Sequence, residues 1–128
     1  MENIAEAYMA DIKGGGPVTE EKIRLVAESF AREAKKIYGS KLHEIIFYGS
    51  CVRGDFKEDS DIDLFVLLNV ASDEISRERK RILDVADRLD LHYDVVLAPV
   101  FQSLQLYEKY GGVSVFYQTI RREGVKIA

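Results

Sequence analysis

Residues 45–66 read IIFYGSCVRGDFKEDSDIDLFV: an apolar run that halts at Gly49-Ser50, a polar segment, and a second apolar run that opens on Asp61-Ile62-Asp63. These two runs decide the fold class. Residues 43–49 (HEIIFYG) are β-branched and aromatic, and residues 61–69 (DIDLFVLLN) are almost continuously apolar after their acids. Both predict strands, the second a central one. Side chains two apart in a strand share a face, so Asp61 and Asp63 project together with Cα atoms roughly 6–7 Å apart. Ile62 and Leu64 then point into the core and fix the register.

Outward from these strands the pattern changes to helical intervals. Thr19 is placed to cap a helix that begins with Glu20 and Glu21, acids suited to the positive end of the helix dipole. Ile23, Val26, Phe30, Ala34 and Ile37 make an apolar stripe and Gly39 a stop, which predicts a helix over 20–38. Downstream, Ser72 or Asp73 caps a predicted helix that runs to about Asp90, with Ile75, Ile82, Leu83, Ala86 and Leu89 inward. Residues 91–100 (LHYDVVLAPV) predict a third strand ended by Pro99, with Asp94 inside it. Residues 101–110 and 113–124, parted by Gly111-Gly112, predict two short helices, and 125–128 an edge strand. Residues 2–12 carry Ile4, Ala7, Tyr8 and Ile12 at helical spacing, and KGGGP at 13–17 breaks the pattern. The expected organisation is an appendage over 1–18 and one domain over 19–128, of α/β (α+β) class, with a small mixed β-sheet packed against helices.

The 128 residues suffice for one core, burying roughly two-thirds of the surface the unfolded chain exposes. With 47% hydrophobic and 31% charged residues, disordered and fibrous classes are excluded. A net charge of −4 weighs against direct binding of nucleic acid or an anionic membrane. The single Cys51 forms no internal disulfide, and no apolar run approaches the roughly 20 residues of a membrane span. Without a leader-like start, a soluble cytoplasmic protein is the expectation.

A carboxylate pair on one strand face is either a solvated strand tip or a hard oxygen site suited to Mg²⁺, which binds through a few carboxylates and substrate phosphates. Gly-Ser alone marks innumerable turns. At a strand end, however, Gly49 admits a phosphate close to the backbone, and Ser50 can cap a short helix through Val52 and Arg53 and offer its hydroxyl to an anion. Gly49-Ser50 after one apolar strand, ten residues, then Asp61-x-Asp63 opening another is a far more specific combination than either part.

That combination resembles the polymerase-β-like nucleotidyltransferase superfamily, and most closely its minimal nucleotidyltransferases (MNT proteins), which act as antitoxins beside HEPN-family toxins. The signature Gly-Ser, ten residues, Asp-x-Asp stands here as GSCVRGDFKEDSDID, and the resemblance runs from about His43 to Lys126, through HYDVV at 92–96 and FYQTIRREGVKI at 116–127. It implies that Asp61, Asp63 and Asp94 are the catalytic acids and bind two Mg²⁺ ions, and that Gly49 and Ser50 hold the triphosphate of ATP. Asp94 also draws support from its expected place inside an apolar strand, where a carboxylate is costly unless paired or metal-bound. Arg53 stands three residues beyond Ser50, within reach of phosphate oxygens.

The implied reaction is transfer of AMP to a hydroxyl, a tyrosine of a HEPN-type helical toxin. A homodimeric antibiotic nucleotidyltransferase and a non-catalytic, partner-masking antitoxin are the alternatives. Little chain lies outside the core to build a small-molecule pocket, which favours a protein acceptor. A homo-oligomer is compatible with any of these.

The remaining candidates read as structural. Asp55, Glu58 and Asp59 belong to a solvated loop, and Ser60 caps its bend. Cys51 reads as a packed thiol. His43 and His92 lack partners at zinc-ligand spacing. The polar run RERKRILDVADR reads as a solvated helix face, and the tail aromatics as core or a partner surface.

Overall fold

The computed structural model describes residues 17–128. Helix α1 (Glu20–Tyr38) begins where Thr19 Oγ1 accepts the Lys22 N–H at 3.1 Å. It ends at Gly39, whose φ of 55° turns the chain and whose N–H reaches the Lys35 carbonyl. These are the predicted bounds, set by the cap and stop signals themselves.

Four strands make one sheet: β1 (Leu42–Tyr48), β2 (Ile62–Leu68), β3 (Leu97–Ser103) and β4 (Val125–Lys126), in the order β3-β2-β1-β4. β1 is antiparallel to β2 and to β4, whereas β2 and β3 are parallel. Parallel neighbours need a crossover, supplied by helices α3 (Ile75–Lys80) and α4 (Leu83–Tyr93).

β2 is interior to the sheet and covered on both faces, as its apolar run predicts. Ile62, Leu64, Val66 and Leu68 enter a cluster with Ile23, Val26 and Phe30 of α1 and with Val85, Leu89 and Tyr93 of α4. Phe65 and Leu67 face the other way, against Ile46, Tyr107 and Ile120. This second layer is built by α5 (Leu104–Tyr110) and α6 (Val115–Glu123), capped by Ser103 and Ser114. Phe65 is its pivot, with ring centroids 5.5 Å from Tyr107, 5.8 Å from Phe116 and 5.7 Å from Tyr117.

Two expectations are corrected. The helix expected to end near Asp90 is broken around Arg81 and Ile82, and its second part runs on to Tyr93. Leu89 and the fully buried Tyr93, four apart, hold one helical face against the core, so LHY belongs to α4 and not to a strand. The third strand starts at Leu97 and passes through Pro99 instead of stopping there. An edge strand tolerates proline where its N–H would face solvent. The short helix expected over 2–12, and most of the 1–18 appendage, lie outside the described residues.

A buried acid was also absent from the sequence reading. Glu78, only 3% exposed, receives Lys41 Nζ at 3.0 Å and Arg81 Nη1 at 2.7 Å, while its carbonyl accepts the Tyr38 hydroxyl at 2.7 Å. It bolts α3 to the α1–β1 connection.

Candidate active site

β1 ends at Tyr48, and Gly49 opens the one-turn helix α2 (Ser50–Arg53) with φ 86°, a conformation that side chains rarely adopt. Its carbonyl accepts the N–H groups of Val52 at 3.1 Å and Arg53 at 3.2 Å. Gly49 is therefore the N-cap, and Ser50 is the first helical residue instead of the expected cap. A Cβ at position 49 would overlap Asp63 Oδ2, which places the Gly-Ser turn directly against the second acid.

The register explains that approach, because Tyr48 pairs with Asp63 across β1 and β2. Asp63 shares its face with Phe65, while Ile62 and Leu64 are buried on the other side, at 1% and 0% exposure. Cys51 ties the turn to the acids from beneath: its buried Sγ donates to the Asp61 carbonyl at 3.3 Å. Burial, then the Asp63 charge, push its thiol pKa up. It is a packed protonated thiol, in keeping with the sequence reading.

Asp61 is exposed and Asp63 half-buried. Burial raises the Asp63 pKa, the Asp61 charge adds to the rise, and Arg53 opposes it. No Lys or Arg forms an ion pair with either acid among the described residues. Two adjacent carboxylates, one partly desolvated and neither in an ion pair among the described residues, are a donor set that one divalent cation would neutralise, with phosphate and water oxygens completing its shell. No group of three or more His, Cys, Asp or Glu that could hold a metal occurs among the described residues. The fit is to a two-acid site.

Arg53 lies within electrostatic reach of Asp63 and is half-exposed. Its Nε is 3.5 Å from Asp55 Oδ2, and its Nη1 is 3.6 Å from Glu123 Oε2 at the end of α6. Asp55, Glu58 and Asp59 are exposed, and Ser60 Oγ accepts the Lys57 N–H at 2.8 Å, closing the bend as expected.

Asp94 stands elsewhere than the sequence reading puts it. It is exposed, in the left-handed conformation (φ 53°), at the C-terminus of α4. With Glu58, Asp59, Ser60, Val95 and Val96 it lines a cleft of about 280 Å³. Ile62 pairs with Leu97 and Asp63 with Ala98, so the β3 positions beside the acid pair carry no carboxylate. The argument that a carboxylate buried in a strand must be compensated does not apply to it.

The acid that senses Asp61 from α4 is Asp90, a residue the sequence reading took only as a helix end. Its Oδ1 accepts the Leu97 N–H at 2.8 Å, and burial raises its pKa, with Asp87 and Asp61 adding to the rise. Helical periodicity alone could have flagged it, since position 90 follows the buried Leu89 and Ala86 on the same helix.

The nucleotidyltransferase domain family has a profile that matches residues 27–121. The chain belongs to that family. This nucleotidyltransferase is 31% identical over 107 residues, 84% of its length, to each of two proteins of Methanocaldococcus jannaschii, the proposed protein adenylyltransferases MJ0141 and MJ0604. The matches cover 99% and 96% of those proteins.

Two solved structures share its fold with TM-scores of 0.53 and 0.52, at 24% and 22% identity, over 79% of this chain and 72% of theirs. One is a toxin-antitoxin with AMP-PNP, the other a MntA-HpeT toxin-antitoxin carrying two Asp-to-Glu substitutions. The expected nucleotidyltransferase fold, a mixed sheet between helical layers, is the one observed. Among the described residues no helix is long and apolar enough to cross a membrane.

Proposed function

We propose that this nucleotidyltransferase moves AMP from ATP, with Mg²⁺, to a hydroxyl of a partner protein, a tyrosine of a HEPN-type toxin, and so serves as the antitoxin of a toxin–antitoxin pair. The observation that carries the reaction class is the contact of Gly49 with the Asp63 carboxylate. It brings a phosphate grip and an acid pair to the same strand ends. The Ser50 hydroxyl and the amides of Ser50 and Cys51 at the start of α2 take the β- and γ-phosphates, and Arg53 neutralises part of their charge. Asp61 and Asp63 hold the cation.

Bound there, Mg²⁺ would offset charge on the α-phosphate and the departing pyrophosphate. Asp94, which lines a cleft with Glu58, Asp59 and Ser60, the residues that lead into Asp61, would orient the acceptor hydroxyl and take its proton. Positioning and charge carry such a transfer, so no nucleophilic side chain of this protein takes part. A protein acceptor is supported by the proposed activity of the two relatives, and a toxin partner by the toxin-antitoxin neighbours.

The test is incubation with α-labelled ATP and Mg²⁺ beside the helical product of the adjacent reading frame. Label should appear on that partner, and should vanish with Asp61→Asn or with chelation of the metal. Label on an aminoglycoside would replace the protein-acceptor reading. Toxin neutralisation undiminished in Asp61→Asn, with no transfer to any acceptor, would leave masking by contact.

A further inference from the structure

We propose that Phe116, backed by Tyr48, is the platform on which the base of the nucleoside triphosphate stacks. The site would then select purine over pyrimidine bases by stacking area and not by reading their hydrogen-bonding edges. The inference rests on the nucleotidyltransferase reading of the acid pair and deepens it.

Phe116, the second residue of α6, is 43% exposed, although it is a large aromatic residue beside a well-packed core. Three ring contacts hold it: near-perpendicular ones to Tyr48, with centroids 5.8 Å apart at 78°, and to Phe65, 5.8 Å apart at 79°, and a tilted one to Tyr117 at 6.0 Å. Tyr48 and Phe65 belong to the active site's own strands. Tyr48 is the residue before Gly49 and pairs with Asp63, and Phe65 lies two residues beyond Asp63 on the same face. An exposed aromatic ring, held by the neighbours of Gly49 and Asp63 in β1 and β2, therefore stands on the sheet face that carries Asp63. With the β- and γ-phosphates on the Gly49-Ser50 turn and the α-phosphate at Asp63, a nucleoside that follows the Asp63 face of the sheet meets this ring.

The walls around Phe116 offer little else. Val113 and Val115 are each 76% exposed and apolar. The polar side chains nearby are already engaged within the fold. Ser114 Oγ accepts the Tyr117 N–H, Gln118 Nε2 donates to the Gly112 carbonyl, and Thr119 Oγ1 donates to the Val115 carbonyl. Gln102 spends both ends of its amide, Nε2 on the Tyr117 hydroxyl and Oε1 on the Ser103 N–H. A surface of this kind recognises a π-face, and every base has one; preferences follow stacking strength.

The test is equilibrium binding of ATP, GTP, CTP, UTP and inorganic tripolyphosphate, with Mg²⁺, to the wild type, Phe116→Ala and Phe116→Trp. The wild type should bind ATP and GTP alike, and both roughly fivefold more tightly than CTP and UTP. Phe116→Ala should lose about tenfold for ATP and GTP, the scale of one stacked base, and level the four bases. Its affinity for tripolyphosphate should not change, and Phe116→Trp should restore the purine preference. Unchanged ATP affinity in Phe116→Ala overturns the platform and marks Phe116 as a contact for the acceptor protein. A parallel loss of ATP and tripolyphosphate overturns it as well, since the defect then lies in the phosphate grip. Strong wild-type discrimination between ATP and GTP overturns the edge-blind selection. A wild type that binds none of the triphosphates removes the nucleotidyltransferase reading itself, before any variant is compared.

Discussion

Gly49 and Asp63 are packed so closely that a Cβ at position 49 would displace the Asp63 carboxylate oxygen. The backbone φ of 86° independently disfavours any other residue. Gly49→Ala should therefore cost about 1–2 kcal/mol of stability from backbone strain, and should lower AMP transfer by far more than that stability loss explains. Urea unfolding and single-turnover transfer, measured on the same preparation, separate the two effects.

Asp63→Asn should stabilise the protein while abolishing its reaction. A raised folded-state pKa means that the fold favours the protonated acid; the stability this gives is present at low pH and is lost as pH rises through the folded value. At neutral pH the ionised acid beside Asp61 thus weighs against the fold. We expect Tm to rise by roughly 2–5 °C in Asp63→Asn while transfer falls about 10³-fold. Mg²⁺ should raise Tm in the wild type and leave Asp63→Asn unmoved. Thermal scans with Mg²⁺ and with EDTA provide the comparison.

Asp94 and the acid pair should fail differently. Asp94 lines a cleft whose walls do not include Asp61 or Asp63, so Asp94→Asn should keep wild-type affinity for Mg²⁺-ATP and lose about 10²-fold in turnover. Asn tolerates the left-handed backbone that Asp94 adopts, which leaves the α4 terminus intact. Asp61→Asn should weaken metal-dependent nucleotide binding itself. Equilibrium binding and turnover of the two variants, side by side, decide the assignment.

Glu78 gives the fold its own acid dependence. The hydrogen bond from Arg81 lowers its pKa, burial opposes that, and Lys41 adds to the lowering. A depressed folded pKa contributes stability that is present above the unfolded value and disappears as pH falls through the folded one. Glu78→Gln should cost about 1–3 kcal/mol at pH 7, and the gap from wild type should close as pH falls below about 4. Chemical denaturation at several pH values measures it, and nucleotide binding should be unaffected because Glu78 lies on α3, away from the site.

The first two strands and the first helix were legible because each carries its own local signals: the Thr19 cap and Gly39 stop for α1, the two-sided apolar run for β2. The Gly49-Ser50 to Asp61-x-Asp63 spacing was legible for the same reason, since strand register turns sequence separation directly into proximity. Asp94 was misread because Tyr93 obeys two patterns at once, apolar before Val95-Val96 in a strand and four residues after Leu89 in a helix. The buried Leu89–Tyr93 face decided for the helix, and periodicity in so short a segment does not reveal which neighbour will bury it. Glu78 looked like one charge in a polar run because its partners, Lys41 and Tyr38, are distant in sequence. Phe116 was similarly opaque: its place against Tyr48 and Phe65 depends on how α6 packs on the sheet, a tertiary fact without a local signature.

The most direct measurement of the central claim is intact-mass spectrometry of the cognate helical partner after incubation with ATP, Mg²⁺ and this protein. With the wild type, the partner should gain the mass of one or more AMP groups, mapped by fragmentation to a tyrosine; with Asp63→Asn it should gain none. A partner of unchanged mass that the wild type still neutralises, or equal modification by wild type and Asp63→Asn, would contradict the account.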